Sequence, residues 1–374
     1  MKIGWQTKSV GEILQLEYGK PLDDRDRKPN GRFPVYGANG EKDRTDKFYH
    51  DKPSIVVGRK GSAGELNLTE TNFWPLDVTY FITFDEQQYD LRFLYHLLTT
   101  LELTKLAKGV KPGINRNEVY SLATRVPPLA EQQRIVGVLD EAFACLATAQ
   151  ASAEKNLQNA RALFESHLQS VFTQRGEGWV EKHLKEVCEK ITDGTHQTPK
   201  YFDEGTVFLS SRNVTSGVID WDRIKYIDTK QHLEMHRRVA PRRDDILLAK
   251  NGTTGVAAIV DRDTTFDIYV SLALLRALPV IRPRLLLQFI NSPAAKIQFN
   301  KRLKGVGVPN LHLEEIREVR VAFPSDLGEQ DRVIAGLDDL HTETQRLQTL
   351  YQQKLAALDE LKKSLLQQAF SGAL

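Results

Sequence analysis

The stretch Pro127-Pro128-Leu129-Ala130-Glu131-Gln132 decides the fold, because the chain repeats it. It recurs as Pro324-Ser325-Asp326-Leu327-Gly328-Glu329-Gln330, where the second opening has one residue more than the first. Each copy leads into about 43 residues that lack proline and hold one internal glycine, a composition that favours helix. A proline before the start and a carboxylate in the first turn are typical of a helix N-terminus. The sequence therefore predicts two copies of one long helix.

Apolar residues step by three and four along both segments, which predicts one apolar seam on each helix. In the second copy the predicted seam consists of Leu337, Leu340, Leu347, Tyr351, Leu358, Leu361 and Leu365. At 1.5 Å per residue each helix would be roughly 65 Å long. The simplest arrangement pairs the two helices antiparallel within the chain. Packing of each helix on its own domain, or on a second chain, is the alternative.

The regions before the helices also repeat. Trp5, Val10, Glu12 and Ile13 reappear as Trp179, Leu184, Glu186 and Val187, whereas residues 21–51 show no clear match in the second half. We therefore predict an α+β fold of two α/β globular domains, residues 1–128 and 174–327, and two long helical segments, residues 129–173 and 328–374. The helical segments pack as an antiparallel coiled coil, and the whole forms a pseudo-twofold internal repeat.

Composition places the chain among globular proteins, with 41% hydrophobic and 27% charged residues. No apolar run approaches the roughly 20 residues of a membrane helix, and residues 1–6 lack the apolar core of a secretory signal. Cys145 and Cys188 are expected to be reduced and buried, so we predict a cytoplasmic location without a membrane partner. The globular domains are mildly basic and the helices mildly acidic, so nucleic acid fits the globular domains.

One pair of equivalent loops follows a buried strand in each domain, at residues 54–64 and 245–255. Glycine in these loops permits close approach of the backbone to a partner, and a lysine adds a cation. The candidate contacts to DNA here are Arg59, Lys60, Ser62, Lys250, Asn251 and Thr253. A plain hairpin turn with a solvated lysine explains the same residues equally well.

A second pair of loops, at residues 108–116 and 304–312, precedes the helices. Their Gly, Pro, Lys and Arg content suits contact with phosphates, and a hinge between domain and helix is a compatible alternative. The candidate contacts here are Lys108, Lys111, Arg116 and Lys304.

The stretch Asp193-Gly194-Thr195-His196-Gln197-Thr198-Pro199 has no clear counterpart in the first half. Side chains of Thr195, His196 and Gln197 suit hydrogen bonds to base edges, and an ordinary Asp-Gly turn is the alternative. Arg212 and Asn213 have suitable chemistry as well, although such residues are most often ordinary surface polarity.

Signatures of catalysis are absent from the sequence. It contains no phosphate-binding G-x-x-x-x-G-K-[ST] loop, no Cys-x-x-Cys pair and no His-Glu-x-x-His motif. His183, Cys188 and His196 lack zinc-finger spacing, so neither a metal nor another cofactor is expected. A chain of this length without a recognisable active site is predicted to be a binding protein.

The duplicated helix opening, the closing Leu-Gln-x-x-Phe segments at 168–172 and 366–370, and the stretch 193–199 together resemble the specificity subunit of type I restriction–modification systems. The resemblance covers the whole chain and implies two target recognition domains, each followed by a helical spacer. It implies a non-catalytic subunit of a multisubunit restriction endonuclease and adenine DNA methyltransferase. Each domain would read one half of a bipartite, asymmetric double-stranded DNA site, and the helices would set the gap.

The resemblance also implies protein partners. Two methyltransferase subunits would dock on the chain and bring S-adenosylmethionine, and two motor–nuclease subunits would bring ATP and magnesium. None of these cofactors should bind this chain itself. Two rival hypotheses remain, namely a coiled-coil scaffold without DNA affinity and a nucleic-acid enzyme with an unrecognised active site. A salt-dependent shift of duplex DNA excludes the scaffold, and turnover by the isolated chain would support the enzyme.

Overall fold

A computed structural model describes residues 4–303 and 310–374 and divides the chain into two compact units. The first unit comprises Met1–Glu154 and Gln353–Leu374, and the second comprises Lys155–Gln352. Each unit therefore contains one globular domain, part of the first long helix and part of the second.

Among its described residues, the first unit contains nine strands, three short helices, the start of one long helix and the end of the other. The strands are β1 Gln6–Ser9, β2 Leu14–Tyr18, β3 Phe33–Gly37, β4 Gly40–Thr45, β5 Ser54–Gly58, β6 Leu66–Thr69, β7 Trp74–Pro75, β8 Thr79–Phe84 and β9 Ala123–Val126. The helices are α1 Val10–Ile13, α2 Leu91–Thr100, α3 Arg116–Tyr120 and the long α4 Leu129–Thr173. Two 3₁₀ turns lie at Asp24–Asp26 and Leu103–Leu106.

The second unit is built in the same order with two additional helices, α6 and α8. Its strands are β10 Trp179–His183, β11 Cys188–Asp193, β12 Thr206–Leu209, β13 Lys225–Ile227, β14 Ile246–Ala249, β15 Ala257–Ile259, β16 Phe266–Ile268, β17 Leu272–Ala277 and β18 Arg320–Pro324. Its helices are α5 Leu184–Val187, α6 Thr229–His236, α7 Pro283–Asn291, α8 Pro293–Asn300, α9 Leu313–Arg317 and the long α10 Leu327–Ser371. A 3₁₀ turn lies at Ser211–Asn213.

Strand pairing shows that the two domains share one topology. The four-stranded sheet β2-β8-β5-β6 of the first matches β11-β17-β14-β15 of the second. The three-stranded sheet β4-β3-β7 likewise matches β13-β12-β16, and the pair β1-β9 matches β10-β18. The repeat therefore extends through β3 and β4, which lie within the region that showed no match in sequence. Backbone pairing is retained there although the side chains differ, so the sequence did not reveal it.

Apolar faces of these elements form a separate core in each domain. In the first, the buried strand β5 packs with α2, and its core includes Ile55, Val57, Phe93, Leu94 and Leu97. In the second, the two faces of β14 contribute to two clusters, with Ile246 and Leu248 on one side and Leu247 and Ala249 on the other. The alternation follows the two-residue period of a strand covered on both faces.

A buried glutamine fixes the start of each long helix to its domain. Gln132 is 1% exposed, accepts a hydrogen bond from the Asp90 backbone N–H (2.9 Å) and donates to the carbonyls of Gln88 (3.0 Å) and Pro127 (2.9 Å). The second member of the repeated Glu-Gln pair thus joins the helix to the N-cap of α2.

Gln330 repeats this arrangement in the second unit. It is fully buried, accepts from the Arg282 backbone N–H (2.8 Å) and donates to the carbonyls of Val280 (2.9 Å) and Pro324 (2.8 Å). Arg282 is the N-cap of α7, so both glutamines join equivalent elements.

The long helices pair antiparallel within each unit. In the first unit the Gln150 amide donates to Asp359 (2.7 Å). Nearer the start of α4, the Arg134 guanidinium donates to the Leu374 carbonyl (3.1 Å). As residue numbers fall along α4, those of the partner rise, which defines antiparallel pairing. The predicted pairing within one chain is therefore confirmed for this unit.

The second unit shows the same direction. The Phe164 ring lies 4.8 Å from that of His341, and further along α4 Leu168 and Phe172 share a core with Leu337 and Ile334. Both long helices therefore pack on each other and on the globular domains.

Two details of the long helices differ from the predictions. Leu361 was assigned to the seam but is 47% exposed, because at about 100° per residue it lies roughly 120° around the helix from the buried Leu337. Cys145 is exposed on α4, whereas Cys188 is buried as expected. Burial raises the pKa of the Cys188 thiol to about 12.

By length and composition alone, α4 also satisfies a criterion for a membrane span. Its best 18-residue window has a mean hydropathy of 1.2, and 22% of that window is buried. The core helix of a soluble protein meets the same criterion, and the two ends of α4 contribute Leu139 and Leu168 to the cores of the two units. We therefore interpret α4 as a packing helix.

Candidate nucleic-acid interface

The turn between β5 and β6 is held by its own backbone. Gly61 and Gly64 both have positive φ, and the Gly64 N–H donates to the Gly58 carbonyl (2.7 Å). A Cβ on Gly64 would lie 2.4 Å from the Thr104 nitrogen, so a larger residue does not fit. Gly252 and Gly255 repeat these φ values in the second unit. The two predicted loops therefore have the same turn geometry.

In the first unit this turn contacts the predicted loop that precedes α3. The Gly61 N–H donates to the Pro112 carbonyl (2.9 Å), and the Ile114 N–H donates to the Arg59 carbonyl (3.1 Å). Lys60 and Gly113 form an isolated β-bridge. Both loops that the sequence assigned to DNA contact thus belong to a single surface of the first unit.

Four cations and an exposed tyrosine lie on this surface, and two of the cations lie over the tyrosine ring. Tyr18, which ends β2, is 46% exposed, and the guanidinium groups of Arg59 and Arg116 lie 5.3 and 5.1 Å from its ring centroid. Lys60 and Lys111 are exposed. Among the residues that the structure describes, none of these four cations lies within 4 Å of a carboxylate. We call Tyr18, Arg59, Lys60, Lys111 and Arg116 the basic cluster.

Lys108 differs from the basic cluster, because its ammonium group pairs with Glu118 at 2.6 Å. Ser62 lies half-buried on the turn. Both remain at the surface beside the basic cluster.

In the second unit the predicted contact Lys250 is buried. Its backbone carbonyl accepts from the Leu311 N–H (2.9 Å), as the Arg59 carbonyl accepts from Ile114, so Lys250 is equivalent to Arg59 and not to Lys60. Its ammonium group donates to the buried Asp193 carboxylate at 2.6 Å. Lys250 therefore does not present a free cation to a DNA groove, which corrects its predicted role.

Asp193 ends β11, as Tyr18 ends β2 in the first unit. Its carboxylate also accepts from Arg238 (2.9 Å) and lies 3.3 Å from His196 Nε2. Burial alone would raise the pKa of Asp193, but the hydrogen bond and charge of Lys250 outweigh burial and hold that pKa below its ordinary value. This carboxylate is thus a fixed anion that organises the loop after it.

The Asp-Gly turn directs polar side chains outwards. The Thr195 N–H donates to the Ile268 carbonyl (3.0 Å), and a Cβ on Gly194 would lie 1.9 Å from that oxygen, so glycine is needed there. His196 and Gln197 are exposed, and Thr195 is half-buried. Both interpretations of this stretch are therefore compatible with the structure. The glycine is required by an Asp-Gly turn, and the polar side chains that follow it are available to bond base edges.

Asn213 is also buried, contrary to its predicted role. Its side chain accepts from the Ser210 N–H (3.0 Å) and donates to the carbonyls of Asp220 (3.3 Å) and Arg223 (3.0 Å). It stabilises the loop on which the exposed Arg212 lies.

An aromatic cavity of about 570 Å³ opens beside Arg212. The rings of Tyr201 and Tyr269 lie 6.1 and 6.2 Å from the ring of Phe208 between them, and the Lys225 ammonium lies 3.8 Å from the Tyr201 ring centroid. Burial raises the pKa of the Tyr201 hydroxyl above its ordinary value. The cavity is within the size range of sites that bind small organic groups.

Ser271 links this cavity to the other loops of the second unit. Its hydroxyl accepts from the Ser211 N–H (3.0 Å), and its carbonyl accepts from the Lys250 N–H (3.0 Å). Ser271 also lines the cavity itself. The loops around residues 195, 212 and 250 therefore form one contiguous region.

The predicted contacts fall into three groups. Those with exposed or half-exposed side chains are Arg59, Lys60, Ser62, Lys108, Lys111, Arg116, Thr195, His196, Gln197, Arg212, Asn251 and Thr253. Asn213 and Lys250 are buried. Lys304 lies outside the described residues.

Sequence reasoning missed the aromatic residues of both surfaces, namely Tyr18, Tyr201 and Tyr269. An exposed tyrosine at the end of a buried strand is a usable signal for Tyr18. Neither Tyr201 nor Tyr269 stands out in sequence, because their proximity depends on the pairing of β12 with β16.

These groups suit recognition of nucleic acid. Unpaired cations bind phosphates, amide and imidazole groups bond base edges, and aromatic faces stack on bases.

Comparison with known proteins agrees with this geometry. The sequence model of the family described as "Type I restriction modification DNA specificity domain" matches residues 2–156 and 176–355. The EcoBI specificity subunit of Escherichia coli is 24% identical over 333 residues, covering 78% of this chain and 68% of that protein. A putative type I specificity subunit of Haemophilus influenzae is 23% identical over 358 residues, covering 87% and 88%.

Solved structures share the fold. A chain from a study of complex assembly and conformational transition in a type I R-M system superposes with a TM-score of 0.79 at 18% identity, covering 100% of this chain and 99% of that one. The HsdS subunit from Thermoanaerobacter tengcongensis gives a TM-score of 0.63 at 19% identity, covering 100% and 98%. The two matched segments each include a globular domain and the start of the long helix that follows it, so the chain belongs to the type I restriction–modification DNA specificity family.

Proposed function

We propose that this chain selects the DNA sequence for a type I restriction–modification enzyme and has no catalytic role of its own. Each globular domain reads one half of a bipartite, asymmetric double-stranded site. The observation that supports this proposal is that the two domains share one strand topology but carry different side chains at equivalent surface positions. Where the first domain presents Arg59 beside Tyr18, the second neutralises Lys250 with Asp193.

The two surfaces suit different kinds of contact. The basic cluster of the first domain offers unpaired cations, which favour phosphates and the guanine edge in the major groove. The second domain offers His196, Gln197 and Arg212 beside an aromatic cavity. Two domains that share a topology but differ in surface side chains are better suited to two different half-site sequences than to the same sequence repeated.

The long helices set the gap between the half-sites and dock the partner subunits. Their outward surfaces carry Val138, Leu163, Leu350 and Leu361, which are between 38% and 51% exposed. Single exposed apolar residues are ordinary on soluble proteins, whereas a contiguous apolar patch marks a surface that another protein covers, so these four residues are candidates for parts of such a patch. We propose that two methyltransferase subunits bind there and that two motor–nuclease subunits complete the enzyme. Those subunits would supply S-adenosylmethionine, ATP and magnesium chemistry.

Selection of bound duplexes from a randomised library tests this function. The chain is used together with its methyltransferase partner, and binding is repeated at several salt concentrations. We expect two short fixed words separated by a constant random gap, with affinity that falls steeply as salt rises. A single contiguous word would mean that one domain reads alone. Absence of enrichment at low salt would refute DNA recognition and favour the scaffold hypothesis.

A further inference from the structure

Three side chains of the second unit converge on one point outside the surfaces described above. His232 and His236 lie on α6, and Asp267 lies on β16. His232 Nδ1 is 2.7 Å from Asp267 Oδ2, and His236 Nδ1 is 3.2 Å from Oδ1 of the same carboxylate. One ligand atom from each residue lies within 4.8 Å of the other two. The three side chains therefore form a compact cluster of nitrogen and oxygen ligands.

Local structure fixes this convergence. Asp228 caps α6 by accepting a hydrogen bond from the Gln231 N–H (2.8 Å), and histidines four residues apart then share one face of the helix. Their ring centroids are 4.7 Å apart. Asp267 lies between Phe266 and Ile268, which are both in the core, so the strand cannot turn its carboxylate away without exposing apolar side chains.

The buried carboxylate of Asp267 needs a positive charge beside it. The Asp267 side chain is 2% exposed, and among the described residues its ion-pair partners are these two histidines, with no lysine or arginine within 4 Å. A carboxylate closed off from water is costly unless a cation accompanies it. A divalent cation supplies that charge and takes both imidazole nitrogens as ligands, and a proton on one imidazole is the alternative that the titration below distinguishes.

We propose that His232, His236 and Asp267 bind a divalent transition-metal ion of the zinc class. Two imidazole nitrogens and one carboxylate oxygen suit zinc, whereas magnesium and calcium prefer all-oxygen sites. Zinc ligands lie about 2.0–2.2 Å from the metal, which separates the ligand atoms of a tetrahedral site by about 3.3–3.6 Å. The 2.7 Å between His232 Nδ1 and Asp267 Oδ2 therefore has to widen for an ion to enter, whereas the 3.2 Å between His236 Nδ1 and Oδ1 is close to the required spacing. The His236 side chain is 33% exposed, which leaves an approach for the ion and a coordination position for water.

Such an ion would fasten α6 to β16 and so support the loop after Asp193. The Gln231 side chain on α6 binds both backbone groups of Lys200, accepting from its N–H (2.8 Å) and donating to its carbonyl (3.1 Å). Residues 195–197 and 234–235 line a common cavity of about 230 Å³. This effect on the loop rests on the proposed DNA function, whereas metal binding does not.

Direct titration with zinc tests the site. The full chain, in complex with its methyltransferase partner where the partner is needed for solubility, is freed of metal with a chelator and titrated with Zn²⁺ against a chromophoric competitor. We expect one ion per specificity chain and a rise in melting temperature of at least about 3 °C. Replacement with Co²⁺ should give a visible absorption spectrum that reports nitrogen ligation.

Matched variants on the same helix locate the ion. His236→Ala should weaken zinc binding at least about tenfold and abolish the cobalt spectrum, since it removes a ligand. Leu233→Ala, whose side chain is 57% exposed, should change neither. Asp267→Asn should behave as His236→Ala does, and the half-exposed His236 carries the test if the buried variant does not fold.

The proposal is overturned if wild type binds no stoichiometric zinc, or if His236→Ala binds it as tightly as wild type. Either result would leave the three side chains as a hydrogen-bonded cluster. Because the titration contains no DNA, its failure is separate from a failure of sequence selection. A DNA-binding comparison of zinc-loaded and chelated complex then measures whether the ion supports the loop.

Discussion

At the scale of single residues, one position of the repeated fold is occupied by a half-exposed arginine in the first domain and by a buried lysine in the second. Arg59 and Lys250 have equivalent backbone hydrogen bonds, yet Arg59 lies over the exposed Tyr18 while Lys250 is buried against Asp193. The parallel stretches 54–64 and 245–255 already place Arg59 opposite Lys250 in the sequence. The stretches alone do not reveal that one side chain is half-exposed and the other buried, because that depends on the residue that ends the neighbouring strand, Tyr18 in one domain and Asp193 in the other.

Lys250→Met should destabilise the second unit by about 3 kcal/mol, because it leaves a buried carboxylate with fewer partners. Since the pKa of Asp193 is depressed in the folded state, the pair stabilises at neutral pH, and this contribution is lost as pH falls through that depressed pKa. The difference between wild type and variant in free energy of unfolding should therefore shrink on acidification below about pH 4. Denaturant unfolding at several pH values measures it.

Lys60→Met is the matched control, because it removes a lysine at the next position along the same turn. Lys60 is exposed, so stability should change by less than about 0.5 kcal/mol. DNA affinity should instead fall about equally for all sequences, and the slope of its salt dependence should decrease by about one. Equal stability losses in the two variants would contradict the assignment of Lys250 to the interior.

At the scale of elements, the two residues of the repeated Glu-Gln pair have different roles, one at the surface and one in the interior. Glu131 pairs with Arg134 on the surface of α4, whereas Gln132 holds the helix to its domain. Gln132→Ala would leave buried backbone groups without partners, so we expect a loss of about 2–4 kcal/mol in unfolding free energy. Gln330→Ala should cost a similar amount in the second unit.

The neighbouring Gln133 provides the control for this prediction. Gln133 is exposed on the same turn of the helix, and Gln133→Ala should have an effect below about 0.5 kcal/mol. If Gln132→Ala were as mild as Gln133→Ala, the buried hydrogen bonds would not fasten the helix.

The helices and strands also differ in how well the sequence predicts them. The long helices and their pairing could be predicted, because a three-and-four apolar period over some 40 residues depends on the helix itself. The match of β3 and β4 with β12 and β13 could not, since short strands are defined by partners distant in the chain. For the same reason the loops were identified by their glycines, while the burial of Lys250 depended on Asp193, 57 residues away.

The cluster of His232, His236 and Asp267 illustrates the same limit. A His-x-x-x-His spacing is visible in the sequence, but the third side chain of the cluster comes from a strand 31 residues beyond the second histidine. Zinc-finger spacing therefore gives no indication of this cluster, whose side chains meet through packing of α6 on β16.

At the scale of the whole molecule, the proposal that the paired helices set the gap between the half-sites is tested by shortening both helices. Removing seven residues from α4 and the seven facing residues from α10 preserves the antiparallel pairing and shortens each helix by about 10 Å. Duplex DNA rises about 3.4 Å per base pair, so the gap between the two selected words should shorten by about three base pairs. Selection from a randomised library measures the gap directly.

Alanine substitution of exposed residues in the same seven-residue segments is the control and should leave the gap unchanged. A gap that stayed constant after the deletion would show that the helices do not set the spacing, and the two words would then have to be positioned by the partner subunits.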